Sequence, residues 1–367
     1  MTGKTDYTRF ARRFATRYPL ASYTTIQINF WILANTLLAW IVYLSIMAVA
    51  PYLPARTNGA FREMFLFAVI LGAIYGLCLG IAEHYVVHRL SLRGNLGHYL
   101  IYRLSFSSML SIGFFWLARY LMAGGSVAGG AATYLFWVCM IYYLIMNVLL
   151  IFINQMNTKY GPGILIPLLL GKYAKPVEER RIFLFMDLQS STALAESLGH
   201  IRYSAFIRDS FMDINRLLAE YDAEVYQYVG DEIILSWRLL DPDADAASIN
   251  FFFACEDRFA MRANEYLRTY GTVPVFKAGI HCGTVTAVEI GDVKREIAYH
   301  GDILNTAARI QCLCNDYNAK FLASGDFISQ VPASSDFTLK SLGAVTLKGK
   351  SLQTKIVSIE RPGIILR

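Results

Sequence analysis

Residues 181–192 read RIFLFMDLQSST, and this stretch decides the fold of the C-terminal half of the chain. Its apolar run ends at Asp187, which predicts a buried strand over residues 181–188. Polar, hydroxyl-rich residues follow, and apolar residues at helical spacing begin near Ser191. The first turn of a helix leaves backbone N–H groups unpaired, and such groups attract phosphate oxygens. We therefore predict a strand, a turn that can bind an anion, and a helix.

Strands and helices continue to alternate toward the C-terminus. Helical spacing of apolar residues predicts helices over 191–221, 249–270 and 302–317. Short apolar runs predict further strands over 224–229, 233–237, 275–281 and 284–290. This pattern is typical of an α+β domain, with a mainly antiparallel sheet flanked by helices.

Two carboxylates stand where these predicted strands end. Asp187 closes the first strand, and Asp231 lies in the turn between the next two. If the turns meet at one edge of the sheet, the two side chains could share two divalent cations. Such ions activate a hydroxyl nucleophile and neutralise phosphoryl oxygens. An aspartate at the end of a strand is also a common helix cap, so the pair alone leaves both interpretations open.

A second constellation lies on one predicted helix. Asn305 and Arg309 are four residues apart in HGDILNTAAR (300–309), so they share a helix face. An amide and a guanidinium placed in this way can bind ribose and phosphate oxygens together. Small residues surround the pair, which favours a ligand over an ordinary solvated helix face.

Together these segments resemble the catalytic domain of class III adenylyl and guanylyl cyclases over about residues 180–360. The matching stretches are FMDLQSST (185–192), YVGDE (228–232), GIHCG (279–283), HGDILNTAAR (300–309) and LKG (347–349). The resemblance implies an adenylate cyclase that converts ATP into 3′,5′-cyclic AMP and pyrophosphate, with two Mg²⁺ or Mn²⁺ ions per active site. It also implies a homodimer, because in that family the metal carboxylates and the Asn/Arg pair of one site come from different subunits.

The resemblance assigns a role to each matching position. Asp187, Leu188 and Asp231 would bind the metal ions, and Asn305 and Arg309 would stabilise the transition state. The remaining positions would bind the nucleotide, and they are Gln189, Ser190, Ser191, Thr192, Gln227, Lys277, Ala298 and Lys348.

Two of these positions depart from the family pattern. The residues that select the purine are usually Lys and Asp in adenylyl cyclases and Glu and Cys in guanylyl cyclases, whereas this chain has Gln227 and Ala298. Gln227 can donate and accept hydrogen bonds to a base, but Ala298 offers only backbone or packing. The alternatives are therefore a guanylyl cyclase, or a catalytically weak membrane receptor with a nucleotide-binding cyclase-like domain.

A diguanylate cyclase is another alternative. The stretch VGDEI (229–233) is similar to the Gly-Gly-Asp-Glu-Phe signature of that family, with its first Gly and its Phe replaced. The missing glycine counts against this alternative, since it would allow the close approach of a base. The helix that carries Asn305 and Arg309 also counts against it.

The N-terminal half is much more apolar than the rest of the chain. Four runs are long enough for a helix that crosses a bilayer, which takes roughly 20 residues, and they cover residues 28–50, 64–82, 104–122 and 134–153. Basic residues before the first run and in the loop 87–103 predict that both termini are cytoplasmic. The sequence therefore predicts a four-helix membrane bundle, contact with membrane lipid, and a multi-pass protein of the inner (plasma) membrane.

The predicted domains are a basic segment (1–27), a membrane anchor (28–154), a linker (155–180), the catalytic domain (181–361) and a tail (362–367). His84 and His88 share a helix face and could hold a metal ion or haem, although ordinary interfacial histidines are the favoured explanation. A transporter or cytochrome would require more ionisable residues within the spans. The net charge of +6 is modest and no basic face carries base-reading partners, so we expect no nucleic-acid partner.

Overall fold

The structure is a computed structural model that describes residues 69–70, 73–78, 80–81, 101–102, 104–113, 116, 141–153, 155–156, 165–239, 244–331 and 337–361. The described residues belong to two compact units, which divide between Pro162 and Gly163.

The described residues of the N-terminal unit lie in helical stretches. Tyr75 is fully buried among them and contacts polar groups of two other stretches. Its hydroxyl donates to the backbone oxygen of Ser107 (3.1 Å) and shares a hydrogen bond with Oγ of Ser111 (2.6 Å). Nδ2 of Asn147 donates to the same hydroxyl at 3.4 Å. Side-chain hydrogen bonds, as well as apolar packing, therefore join these helical stretches.

The prediction of a four-span membrane bundle is wrong. Across the described residues, no helix has both the length and the apolar character that crossing a membrane requires. The same finding contradicts the predicted multi-pass membrane localisation and leaves contact with lipid unsupported. The predicted run 28–50 and the pair His84/His88 lie outside the described residues.

The C-terminal unit alternates helices and strands. Its helices are α1 (Leu165–Leu169), α2 (Ser191–Asn215), α3 (Ala244–Met261), α4 (Ala263–Tyr270), α5 (Asp302–Asp316) and α6 (Gly325–Ile328). Its strands are β1 (Val177–Leu188), β2 (Glu224–Val229), β3 (Glu232–Arg238), β4 (Phe276–Ile290), β5 (Glu296–His300), β6 (Phe321–Ser324), β7 (Thr338–Thr346) and β8 (Gln353–Glu360).

The strands form one sheet in the order β2-β3-β1-β4-β6-β8-β7, and β5 pairs with β4. Only β4 and β6 pair in parallel among the described strands. The predicted α+β domain with a mainly antiparallel sheet is therefore confirmed.

Side chains alternate between two differently covered faces of the sheet. Leu184 and Met186 of β1 belong to the larger core, which also contains apolar residues of α2, α3 and α4. Phe183 and Phe185 belong to the other face, where residues of α5 cover them. Gly279 lets α5 approach closely, because a Cβ there would lie 2.3 Å from the backbone nitrogen of Gln311. The α5 helix thus packs directly against the centre of the sheet.

Three local predictions differ from the structure. The two strands predicted over 275–281 and 284–290 form one strand, β4, in which Gly283 lies beneath the side chain of Ile303. Gly283, which lies between the two predicted strands, is therefore a packing position within one strand. The helix predicted over 191–221 ends at Asn215 and is kinked at Gly199, where φ is 71°. The helix predicted over 249–270 is divided into α3 and α4.

Candidate active site

The end of β1 and the β2–β3 turn bring two acidic side chains together. Asp187 pairs with Glu232 across the β1–β3 ladder, and Asp231 directly precedes Glu232. Burial raises the pKa of Asp187 above its ordinary value, and the nearby charge of Asp231 raises it further. Two facing carboxylates that repel each other have the donor chemistry that a hard divalent cation requires.

Two neighbours of this pair were not predicted from the sequence. Burial and the charges of Asp187 and Asp231 raise the pKa of Glu232 to about 7. Nε2 of Gln311, on α5, donates to Oδ2 of Asp187 at 3.4 Å. The GDE motif was the only available signal for Glu232, and nothing in the sequence indicated that Gln311 would contact Asp187. Within the described ranges, no group of three or more His, Cys, Asp or Glu side chains is arranged to hold a metal ion. The candidate site therefore depends on the aspartate pair.

A tight turn joins Asp187 to α2. The backbone N–H of Gln189 donates to the carbonyl oxygen of Val275 (2.8 Å), which anchors the turn to the residue before β4. Ser190 adopts a left-handed conformation (φ 59°), and its side chain makes no capping hydrogen bond to the helix. Leu188 is buried, whereas Gln189, Ser190 and Thr192 are exposed and Ser191 is partly exposed. The start of α2 is therefore open to an anionic ligand beside the carboxylates.

An open cavity of about 610 Å³ lies beside Asp231, between α2 and the β2–β3 hairpin. Its wall includes both aromatic and polar side chains, and the hydroxyl of Tyr228 donates to Oδ1 of Asn215 (2.7 Å). The lining residues are Tyr203, Ser204, Ile207, Arg208, Phe211, Met212, Asn215, Tyr228, Gly230 and Asp231. Asp231 thus borders a space large enough for part of a small-molecule ligand.

A second group of predicted residues surrounds the outer side of α5. Asn305 is exposed, and Arg309 is partly buried. The guanidinium of Arg309 lies against the β7–β8 turn, since a Cβ at Gly349 would be 3.5 Å from one of its terminal nitrogens. Nζ of Lys350 forms an ion pair with Oδ2 of Asp302 (2.7 Å), which ties the same turn to the start of α5. Lys348, in that turn, is exposed.

The two groups lie on opposite flanks of α5. Gln311 contacts Asp187 on the flank of β1, whereas Arg309 contacts Gly349 on the flank of β7 and β8. β1 and β8 are three strand positions apart in the sheet, which corresponds to about 14 Å. The aspartate pair and Lys348 of one chain are therefore too far apart to belong to the same site.

The remaining predicted residues occupy separate positions on the sheet. Lys277 lies opposite Asp187 on β4, and its Nζ donates to Oδ1 of Asn315 (2.5 Å). Gln227 is exposed on the edge strand β2, beside a β-bulge. Ala298 is buried on β5, where it pairs with Val288. Lys277 thus lies near the carboxylates, and Ala298 is packed in the interior.

Comparisons with known proteins agree with this architecture. Residues 173–359 match the family described as "Adenylate and Guanylate cyclase catalytic domain". The chain is 33% identical over 220 residues to Adenylate cyclase 2 of Rhizobium meliloti (strain 1021), which is 60% of this chain and 61% of that protein. It is 26% identical over 185 residues to Adenylate cyclase 1 of the same organism, which is 48% of this chain and 27% of that protein.

Among solved structures, the chain is similar to the adenylyl cyclase CyaB from P. aeruginosa. The TM-score is 0.45 at 15% sequence identity, and the match covers 53% of this chain and 100% of that chain. The chain spans less than two thirds of each of the two Rhizobium relatives. The family match confirms the resemblance to a cyclase catalytic domain that the sequence predicted.

Proposed function

Because the chain belongs to the family of adenylate and guanylate cyclase catalytic domains, we propose that it is an adenylate cyclase that converts ATP into 3′,5′-cyclic AMP and pyrophosphate. The observation that carries this proposal is the pair Asp187 and Asp231, which meet beside an open helix start. The names of the relatives in Rhizobium meliloti support ATP as the substrate.

Asp187, Asp231 and the backbone carbonyl of Leu188 would hold Mg²⁺ or Mn²⁺, two ions per active site. The residues fit such ions, because two facing carboxylates leave negative charge that the described protein groups do not neutralise. When bound, the ions would lower the pKa of the ribose 3′-hydroxyl and neutralise phosphoryl oxygens.

A homodimer would complete the site. In one chain, Arg309 and Lys348 lie on the flank of α5 that is away from Asp187. A second copy, packed in the opposite orientation, would present its own Asn305, Arg309 and Lys348 to the aspartate pair of the first. A twofold axis then produces two equivalent sites, each built from both chains.

In the proposed reaction, the ribose 3′-hydroxyl loses its proton to solvent and its oxygen attacks the α-phosphorus, while the bond from that phosphorus to the pyrophosphate oxygen breaks. Arg309 would offset charge on the α-phosphoryl group, and Asn305 would orient the ribose. Lys277, Lys348 and the turn 189–192 would bind the triphosphate, while Gln227 and Ala298 would border the base. The protein then contributes positioning and electrostatic stabilisation rather than a covalent intermediate.

The test is to incubate the purified full chain with ATP or GTP, in Mn²⁺ or Mg²⁺, and to identify the products by mass spectrometry. We expect cyclic AMP from the wild type, and a rate lower by at least about 100-fold in Asp187→Ala, because that variant loses a metal ligand. Asp257→Ala is a matched control, since that carboxylate pairs with Arg361 on the surface and should leave the rate unchanged.

Other outcomes would contradict parts of the proposal. If cyclic GMP is the main product, the substrate is GTP and not ATP. Substantial cyclic AMP from a folded Asp187→Ala variant would exclude the assigned role of that carboxylate. No product from either triphosphate with either metal would favour a nucleotide-binding receptor over an enzyme.

A further inference from the structure

Arg181 is a fully buried arginine that the proposed reaction does not use. Its side chain is 1% exposed and lies on the face of β1 that carries Phe183 and Phe185. Arg181 lies six residues before Asp187 on the same strand, a distance of roughly 20 Å. A charge is costly to bury unless it is paired. The groups that pair with this guanidinium therefore indicate its role.

Arg181 joins three strands through its hydrogen bonds. Its Nε donates to Oε2 of Glu179 on β1 at 2.9 Å, and one terminal nitrogen donates to Oε2 of Glu224 on β2 at 2.7 Å. The same terminal nitrogen donates to Oγ of Ser236 on β3 at 3.1 Å. Glu179 is itself held by Nζ of Lys172 at 2.6 Å. Two carboxylates therefore neutralise the guanidinium and tie the edge strand β2 to the centre of the sheet.

An aromatic cluster extends this contact to β5. The guanidinium of Arg181 lies 4.7 Å from the ring centre of Tyr299, a cation–π distance. The Tyr299 ring packs edge-on against Phe183 (5.5 Å) and Tyr226 (5.1 Å). The backbone N–H of Tyr299 also donates to the hydroxyl of Tyr226 at 3.4 Å. Arg181 thus touches β5 directly and is linked to β2 a second time through Tyr226.

The residues that Arg181 holds adjoin the two positions assigned to the base. Tyr226 immediately precedes Gln227 at the bulge, where the register moves from Val225 opposite Leu235 to Gln227 opposite Ile234. Tyr299 immediately follows Ala298 on β5. A bulged edge strand has few ladder hydrogen bonds to fix it. The direction of Gln227 therefore depends on how Tyr226 and Glu224 are anchored.

We propose that Arg181 is a positioning residue for base recognition, because it fixes β2 and β5 through Glu224, Tyr226 and Tyr299 and so sets where Gln227 points. The inference rests on the proposed function, since it takes Gln227 and the β5 backbone as the border of the base site. Arg181 acts through these neighbours and does not itself contact the nucleotide.

The test compares Arg181→Lys with a matched ion-network variant, Arg258→Lys. Arg258 donates to the buried Asp213 at 3.1 Å in the core of α2, α3 and α4, on the other face of the sheet. Both variants keep the positive charge and lose the planar fork of the guanidinium. Tyr299→Phe and Tyr299→Leu complete the set, since the first keeps the ring over Arg181 and the second removes it.

The readouts are the ratio of kcat/KM for ATP and GTP, the Mn²⁺ dependence of the rate, and the thermal unfolding midpoint. We expect Arg181→Lys and Tyr299→Leu to change the ATP/GTP ratio by at least about fivefold, the scale of one misplaced hydrogen bond. We expect the Mn²⁺ dependence to stay unchanged, and Tyr299→Phe and Arg258→Lys to keep the wild-type ratio. A wild-type ratio in Arg181→Lys, with only a lower unfolding midpoint as in Arg258→Lys, would overturn the proposal.

Equilibrium binding separates this inference from the proposed function. The affinities of α,β-methylene ATP and α,β-methylene GTP for the full chain are measured by calorimetry, because neither analogue can be cyclised. If the wild type prefers one analogue and Arg181→Lys loses that preference, the inference holds even if no cyclic nucleotide forms. If both proteins show the same preference, the inference fails even if the wild type is an active cyclase.

Discussion

At the scale of single residues, the groups around Asp187 determine how its carboxylate is oriented in the candidate site. Its carboxylate is repelled by Asp231 and accepts one hydrogen bond from Gln311, which is 9% exposed. A buried amide that donates to one carboxylate oxygen fixes the direction of the other oxygen. Gln311 is therefore expected to orient a metal ligand without touching the metal ion.

We expect Gln311→Leu, which keeps the approximate size but removes the amide, to weaken Mn²⁺ binding by about tenfold. Titration of the full chain with Mn²⁺, followed by electron paramagnetic resonance, measures the dissociation constant directly. Gln330→Leu is the matched control, because Nε2 of Gln330 contacts Sγ of Cys282, away from the aspartate pair. Equal Mn²⁺ affinities in the two variants would show that Gln311 only fills space.

At the scale of elements, α5 connects the two groups of site residues. Its inward residues Ile303 and Ala307 pack on the sheet, and Gln311 reaches Asp187. Asn305 and Arg309 take the outer side of the helix. A displacement of α5 would therefore disturb both groups at once. The close contact between the backbone of α5 and Gly279 determines the position of the helix.

We expect Gly279→Ala to destabilise the domain by about 1–3 kcal/mol or more, the usual cost of overpacking. The added Cβ would lie 2.3 Å from the backbone nitrogen of Gln311 and 2.6 Å from the carbonyl oxygen of Ala307, so backbone has to move. Gly301→Ala is a milder comparison, because its Cβ would meet its nearest atoms at 3.3 Å. Urea unfolding of both variants measures the difference, and equal stabilities would contradict the close packing of α5.

At the scale of the whole molecule, the separation of the two groups across α5 predicts complementation between inactive variants. Asp187→Ala and Arg309→Ala should each be inactive as a homodimer, since each lacks one half of both sites. Mixed dimers contain one site with both residues intact. After unfolding and refolding together in equal amounts, we expect about a quarter of the wild-type rate, because half of the dimers are mixed and each has one working site of two. A mixture with no more activity than its parents would exclude a site shared between chains.

Much of the catalytic domain could be predicted from the sequence. The strand that ends at Asp187, the strands around the Asp231 turn and the helix of Asn305 and Arg309 all depend on residues that are close in the chain. The prediction of a four-span bundle was wrong, because it counted apolar residues along the sequence, whereas no helix among the described residues is both long and apolar enough to cross a membrane. The buried hydrogen bonds of Tyr75 were likewise invisible, since their partners are more than 30 positions away.

By itself, therefore, the sequence determined the local elements and the spacing of the cyclase motifs, because periodicity and turn residues act over a few positions. Only the tertiary structure decided what lies beside those motifs. Gln311 meets Asp187 across 124 positions of the chain, and Arg181 meets Glu224 across 43 and Ser236 across 55. Contacts of this kind depend on strand order and on how closely α5 approaches the sheet, and no short stretch of sequence contains that information.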